Sequence, residues 1–168
     1  MDQFRLRRLG ASDAEAFRDV RLEGLRHHPE AFGSSWEEES ERPLAWFEER
    51  LERNVVLAGC ADDCKIRGIA ALGVQDALKI RHKGFLWGMY VRPEARGSGL
   101  AAALVERLLS EARGTVEEVR LAVVTSNEAA IRLYTRHGFK QYGVERRALK
   151  IDHRYYDELL MAYSVGID

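Results

Sequence analysis

Apolar and polar positions change period several times along the chain, and each change marks an element. Phe4-Arg5-Leu6-Arg7-Arg8-Leu9 alternates and predicts an opening strand with Phe4, Leu6 and Arg8 on one face. Ser12-Asp13-Ala14-Glu15 has the form of a capping box, so a helix is expected from Ser12, with Phe17, Val20 and Leu25 on its inner face. It should stop near His27-His28-Pro29, because a residue before proline is pushed out of the helical region; the two histidines read as surface residues of the helix end. Residues 30–36 read as a loop carrying two large aromatics, and Glu37-Glu38-Glu39-Ser40-Glu41 as a solvated helix start. A second helical piece follows Pro43, with Leu44, Phe47 and Leu51 on one face.

From residue 54 the pattern turns to strands. Residues 55–60 and 66–74 flank a polar turn and predict a hairpin. A polar connection over 75–83 leads into the apolar run 85–91, a buried strand ending before Pro93. Leu100, Leu104 and Leu108, with Ala101, Val105 and Ala112, recur on one face of a helix expected over 99–113. Residues 119–124 form a further buried strand, and 127–137 a helix that Gly138 stops. Residues 140–149 and 155–164 close the chain as an antiparallel pair. No repeat or linker interrupts this order, so residues 1–168 are expected to be a single α/β domain.

Composition narrows the function classes. A chain of 168 residues supports one well-buried core, and 46% hydrophobic with 32% charged residues is ordinary for a globular domain. The net charge of -1 does not advertise nucleic acid, so any anion site has to be locally positive. No apolar run is long enough to span a membrane and Met1-Asp2-Gln3-Phe4-Arg5 has no signal core, which points to the cytoplasm. Cys60 and Cys64 are too few for a disulfide framework and lack companion ligands for zinc, so they read as reduced thiols, with no metal expected.

The candidate chemistry lies between the strand 85–91 and the helix 99–113. The loop holds Arg96-Gly97-Ser98-Gly99. Glycines there can turn several backbone N–H groups towards one point at a helix N-terminus, where orphan donors and the helix dipole favour an anion. Ser98 can add a hydroxyl donor and Arg96 a cation. Such turns also occur for geometric reasons alone. A Walker A loop would need Gly-Lys-Ser/Thr, and no lysine stands here; a dinucleotide fingerprint would need a third glycine.

Arg96-x-x-Gly99-x-Ala101 resembles the acyl-CoA signature of the GNAT family of N-acetyltransferases. Asn127-Glu128-Ala129-Ala130-Ile131-Arg132-Leu133-Tyr134-Thr135-Arg136-His137-Gly138-Phe139 is similar to that family's Asn-x-x-Ala-x-x-Leu-Tyr-x-x-x-Gly-Phe helix. The stretch from His28 to Ser35 and the strand around Asp157-Glu158-Leu159-Leu160-Met161 look like further parts of it, so the resemblance covers the whole chain. It implies a mixed, mostly antiparallel sheet of about seven strands flanked by about four helices. The parallel strands on either side of the cradle helix would splay apart and admit the pantetheine arm of acetyl-CoA. Met89, Tyr90 and Val91 would then bond the arm through main chain. Arg96, Gly97, Ser98, Gly99, Leu100 and Ala101 would hold the pyrophosphate, Asn127 would contact the pantetheine, and Tyr134 would lie near the sulfur.

The residues agree with this chemistry on their own terms. Asn127 and Tyr134 lie close to two helical turns apart and share a face. A phenol of pKa about 10 can protonate a departing thiolate whose thiol has a pKa of about 8.5. The plainer readings are a core tyrosine and an N-cap asparagine. The resemblance implies direct attack of a neutral primary amine on the thioester, with Tyr134 as general acid. The family often carries a glutamate on the strand before the cradle, but residues 85–92 hold no carboxylate and no histidine. Glu38, Glu39 and His82 are the candidate bases, with Glu145 as a further route through water. Without a close base, weakly basic amines are favoured: at pH 7.5 an α-amine is roughly a third neutral, a lysine-like amine about 0.1%. The acid-rich run at 37–41 favours a cationic acceptor, either a small molecule or a peptide, with no nucleic-acid or membrane partner; a homodimer is left open. The alternative is a CoA-binding sensor or regulatory domain without turnover.

Overall fold

The structure, a computed structural model, describes residues 4–166; residues 1–3 and 167–168 of the expected domain lie outside it. Seven strands form one sheet: β1 (Arg5–Arg8), β2 (Val55–Cys60), β3 (Ile66–Val74), β4 (Lys83–Val91), β5 (Glu118–Val124), β6 (Lys140–Ile151) and β7 (Arg154–Ser164). Their spatial order is β1-β2-β3-β4-β5-β7-β6. Only β4 and β5 run parallel, and every other neighbouring pair is antiparallel. The helices are α1 (Ala14–His27), α2 (Trp36–Ser40), α3 (Leu44–Arg53), α4 (Leu100–Ala112) and α5 (Glu128–Arg136). Five α-helices among the described residues exceed the expected four by α2, one turn long. None is long and apolar enough to cross a membrane.

Pleating divides the core between two faces. Leu57, Ala70 and Leu72 point to the side covered by α4 and α5, whereas Val56, Ala58, Ile69 and Ala71 point towards α1 and α3. Leu100, Leu104 and Leu108 of α4 are at most 2% exposed, as their helical spacing required. Each contributes about 1.5–3 kcal/mol by leaving water. Phe17, Val20 and Leu25 of α1 meet Phe47 and Leu51 of α3 on the other face.

The start of α1 differs from expectation. Residues Ala11–Asp13 form a single tight turn and the helix begins at Ala14. Asp13 explains the shift: its carboxylate accepts the Gly10 N–H (2.9 Å) and both terminal nitrogens of Arg7 (3.0 and 2.8 Å). The turn is therefore pinned to β1, and Ser12 does not cap.

Two irregularities in the middle of the sheet make room for a ligand. β4 and β5 pair only through Lys83–Glu118, Gly84–Val119 and Phe85–Arg120. Beyond Phe85 they part: β4 stays with β3 as far as Val91–Gly68, while β5 stays with β7 as far as Val124–Glu158. In addition, the register of β4 on β3 shifts between Tyr90–Ile69 and Trp87–Ala71, leaving one extra residue on β4. Gly88 lies in this bulge with φ of +65°, a backbone state that other residues rarely adopt. The edge of β4 from Trp87 to Val91 thus faces a wedge-shaped opening and has no strand on that side.

Candidate active site

The opening is lined by two adjoining cavities. The first, of about 680 Å³, lies between the end of β4, the loop into α4 and the N-terminal half of α5. Met89, Tyr90, Val91, Arg96, Gly97, Gly99, Leu100, Ala101 and Asn127 all line it. Gly97 and Gly99 have φ of +74° and +88°, and a Cβ placed on either would meet no atom within 4 Å. That open space at the head of α4, with backbone donors converging on it, suits a pyrophosphate. Acetyl-CoA therefore fits the residues present.

Several side chains sharpen the cradle. Arg96 donates from Nε to the Val91 carbonyl (3.1 Å), and its Nη2 lies 3.0 Å from His28 Nε2. His28, expected to be an ordinary surface residue, thus stands in the cavity wall and orients the loop cation. Arg132 and Arg136 reach the same cavity from α5, and Glu30 is its one carboxylate. The site is locally positive although the chain as a whole is nearly neutral. Ser98 corrects an expectation: its hydroxyl donates to the Ala95 carbonyl and accepts the Leu100 N–H (3.3 Å). It shapes the turn and does not line the cavity. The Tyr90 phenol is likewise committed elsewhere, donating to Glu23 Oε1 (2.9 Å); burial and that bond push its pKa up to about 12.

The second cavity, of about 500 Å³, continues from the first and shares Ala31, Phe32, Met89, Val124, Asn127 and Ala130 with it. Asn127 stands at this junction and caps α5, its Oδ1 accepting the Ala130 N–H (3.2 Å). Tyr134 lines the second cavity. It is 5% exposed, packs edge-on against Phe139 at 5.7 Å, and burial raises the pKa of its phenol. From the far side come Arg21 of α1, Arg50 of α3, Trp87 of β4, Arg120 of β5 and Glu158 of β7.

None of the three candidate bases lines either cavity. Glu39 is 3% exposed and accepts two bonds from Arg21, at 3.0 and 2.8 Å. Burial raises its carboxyl pKa, but the bond and charge of Arg21, with Arg50 adding to them, outweigh burial and hold it below its ordinary value. Glu39 is thus a structural anion that ties α2 to α1, and removing one partner of such a pair typically costs about 3–5 kcal/mol. Glu38 is exposed; its N–H donates to Ser35 Oγ, which caps α2, and its carboxylate accepts from the Ser35 hydroxyl (both 3.2 Å). His82 is exposed, and its carbonyl accepts the Glu117 N–H (2.8 Å). No residue of the acid run at 37–41 lines either cavity. The carboxylate that does reach the cavity is Glu158. Burial raises its pKa, and Glu145, directly opposite on β6, raises it further.

Known proteins are similar to this chain in sequence and in fold. Residues 22–139 match the acetyltransferase (GNAT) family. The L-amino acid N-acyltransferase MnaT of Escherichia coli is 28% identical over 102 residues, 60% of this chain and 59% of that protein. The N-alpha-acetyltransferase RimI of Mycobacterium tuberculosis is 41% identical over 61 residues, 36% and 37% of the two chains. The chain thus matches less than two thirds of the length of either relative. The structure of YncA from Salmonella typhimurium, solved with its cofactor acetyl-CoA, has the same fold: TM-score 0.82 at 22% identity, covering 99% of this chain and 96% of that one. With the family match extending over most of the chain and the sheet parting at the strand pair its motifs flank, the chain belongs to the acetyltransferase (GNAT) family.

Proposed function

We propose that the protein transfers an acetyl group from acetyl-CoA to the nitrogen of a primary amine, directly and without a covalent enzyme intermediate. The observation that carries this reading is the junction of the two cavities. A donor-shaped cavity with an anion cradle meets a second cavity holding a phenol and a carboxylate, along the open edge of β4. Acetyl-CoA supplies an activated acyl thioester; the binding of that cofactor to YncA agrees with the shape of the first cavity here.

The chain's own groups then have separable tasks. Gly97, Gly99 and the following backbone, with Arg96, Arg132 and Arg136, hold the phosphates. Main-chain groups of Met89 to Val91, left without a partner strand on the β5 side, hold the arm and present an N–H to the carbonyl oxygen as charge develops on it. Glu158 takes the proton from the incoming ammonium. Tyr134, kept protonated by burial, donates to the departing sulfur. The sensor alternative drew its strength from the lack of a carboxylate on β4, and Glu158 on β7 removes that motive. The names of MnaT and RimI place amino acids and N-terminal amines among the acceptors of this family's members, which fits a primary amine here.

The test is release of CoA thiol from acetyl-CoA across a panel of amino acids, alkylamines and peptides. Acetyl-CoA-dependent turnover on one or more amines is expected. Tight acetyl-CoA binding with no turnover on any of them would leave the sensor as the better description.

A further inference from the structure

The second cavity contains a cation that forms no ion pair among the described residues. Of its three arginines, Arg21 is paired with Glu39 and Arg120 with Glu118. Arg50 forms no ion pair among the described residues. It sits between two indoles, its guanidinium carbon 4.5 Å from the centre of Trp46 and 4.3 Å from that of Trp87. Its Nε is buried without a hydrogen-bond partner, and so is Nε1 of Trp87. Buried donors in native proteins are nearly always met by an acceptor, so a guanidinium left this short of partners is unusual; its terminal nitrogens are the part open to an incoming ligand. Burial and the nearby charge of Arg21 also make the Arg50 cation less favourable than it would be in water, although Glu39 partly offsets this. The two flanking indoles hold the guanidinium in the cavity wall, where its donor fork suits a carboxylate.

We infer that Arg50 and Trp87 form a carboxylate subsite, and that the acceptor is a free α-amino acid held there by its carboxylate while its amine faces Glu158. The inference rests on the proposed N-acetyl transfer and names its substrate class. Arg50 and Glu158 line the same cavity and match the two charges of a zwitterion. A peptide N-terminus lacks the adjacent carboxylate, and a simple alkylamine would leave Arg50 unanswered. The acceptor is therefore anionic at one end, contrary to the cationic preference that the acid-rich run suggests.

The test compares L-leucine, L-leucinamide and isoamylamine, which differ at the carboxylate position, and repeats the comparison with the methionine and phenylalanine series. Wild type, Arg50→Gln, Trp87→Phe and Arg53→Gln are assayed, the last removing a cation from the same helix outside this cavity. Because each ratio is compared between wild type and variant, the different basicities of the amines cancel. In Arg50→Gln the ratio of kcat/KM for amino acid over alkylamine is expected to fall about 10–100-fold, through KM, as suits a lost charge-assisted bond. Trp87→Phe should give a smaller fall in the same direction, and Arg53→Gln none. A second readout is tryptophan emission in the presence of CoA, since Trp46 and Trp87 flank the subsite: L-leucine should perturb it at lower concentration than L-leucinamide, and Arg50→Gln should abolish the difference. A ratio unmoved by Arg50→Gln, or equal binding of leucine and leucinamide, would overturn the inference and favour a peptide or plain amine. If no amine is turned over, transfer itself fails, and the emission titration still decides the carboxylate site.

Discussion

Tyr134 and Glu158 line the same cavity, and burial shifts both towards their protonated forms; the transfer proposed above gives them opposite duties. For the phenol this keeps the proton available to a leaving thiolate at any physiological pH. Tyr134→Phe should lower kcat by about 10²–10⁴ while acetyl-CoA affinity, measured by calorimetry, changes little; an unchanged kcat would remove Tyr134 from the chemistry. For the carboxylate the shift moves a titration. Glu158 accepts a proton only when ionised, so kcat/KM should rise with pH through its pKa, above the usual glutamate value of about 4.3. Glu158→Gln should lower kcat/KM and erase this acid limb, whereas Glu145→Gln, by removing the facing charge, should move it down. A limb that survives in Glu158→Gln would assign it to another group.

At the scale of elements, α4 and α5 were the readable part of the site. Each carries its function on contiguous residues: the left-handed glycines and Arg96 before α4, and Asn127 to Tyr134 along one face of α5. Sequence spacing therefore equals spatial spacing. His28, Arg50, Arg132 and Glu158 were not legible as a site, because each lies on a different element and they converge only when the sheet parts. Glu39 shows the opposite failure. Within a run of acids it looks solvated, yet one helical position turns it inward onto Arg21, the sole buried anion in that run. The cradle offers the cleanest element-level test. Gly99→Glu puts a side chain and a like charge into the open space before α4, at a φ of +88° that also disfavours it. Calorimetry should then detect no acetyl-CoA binding, and wild-type affinity would mean the phosphates lie elsewhere.

On the scale of the whole molecule, alternation and helical spacing were enough to anticipate all seven strands and the sides of the helices that face inward. Pairing partners were less accessible: strand length does not reveal that β7 inserts between β5 and β6, or that β4 and β5 share only three residue pairs. That short shared register has a kinetic consequence. The two cavities meet at Ala31, Phe32, Met89, Val124, Asn127 and Ala130, but otherwise have separate walls, the first reaching between α4 and α5 and the second towards α1, α3 and β7. If donor and acceptor take these separate cavities, as proposed, neither must leave before the other enters. Double-reciprocal plots at several fixed acceptor concentrations should intersect, and parallel lines would indicate an acetylated enzyme instead. Spent CoA should compete with acetyl-CoA and not with the amine, so a cell's ratio of the two would throttle the enzyme without touching its choice of acceptor.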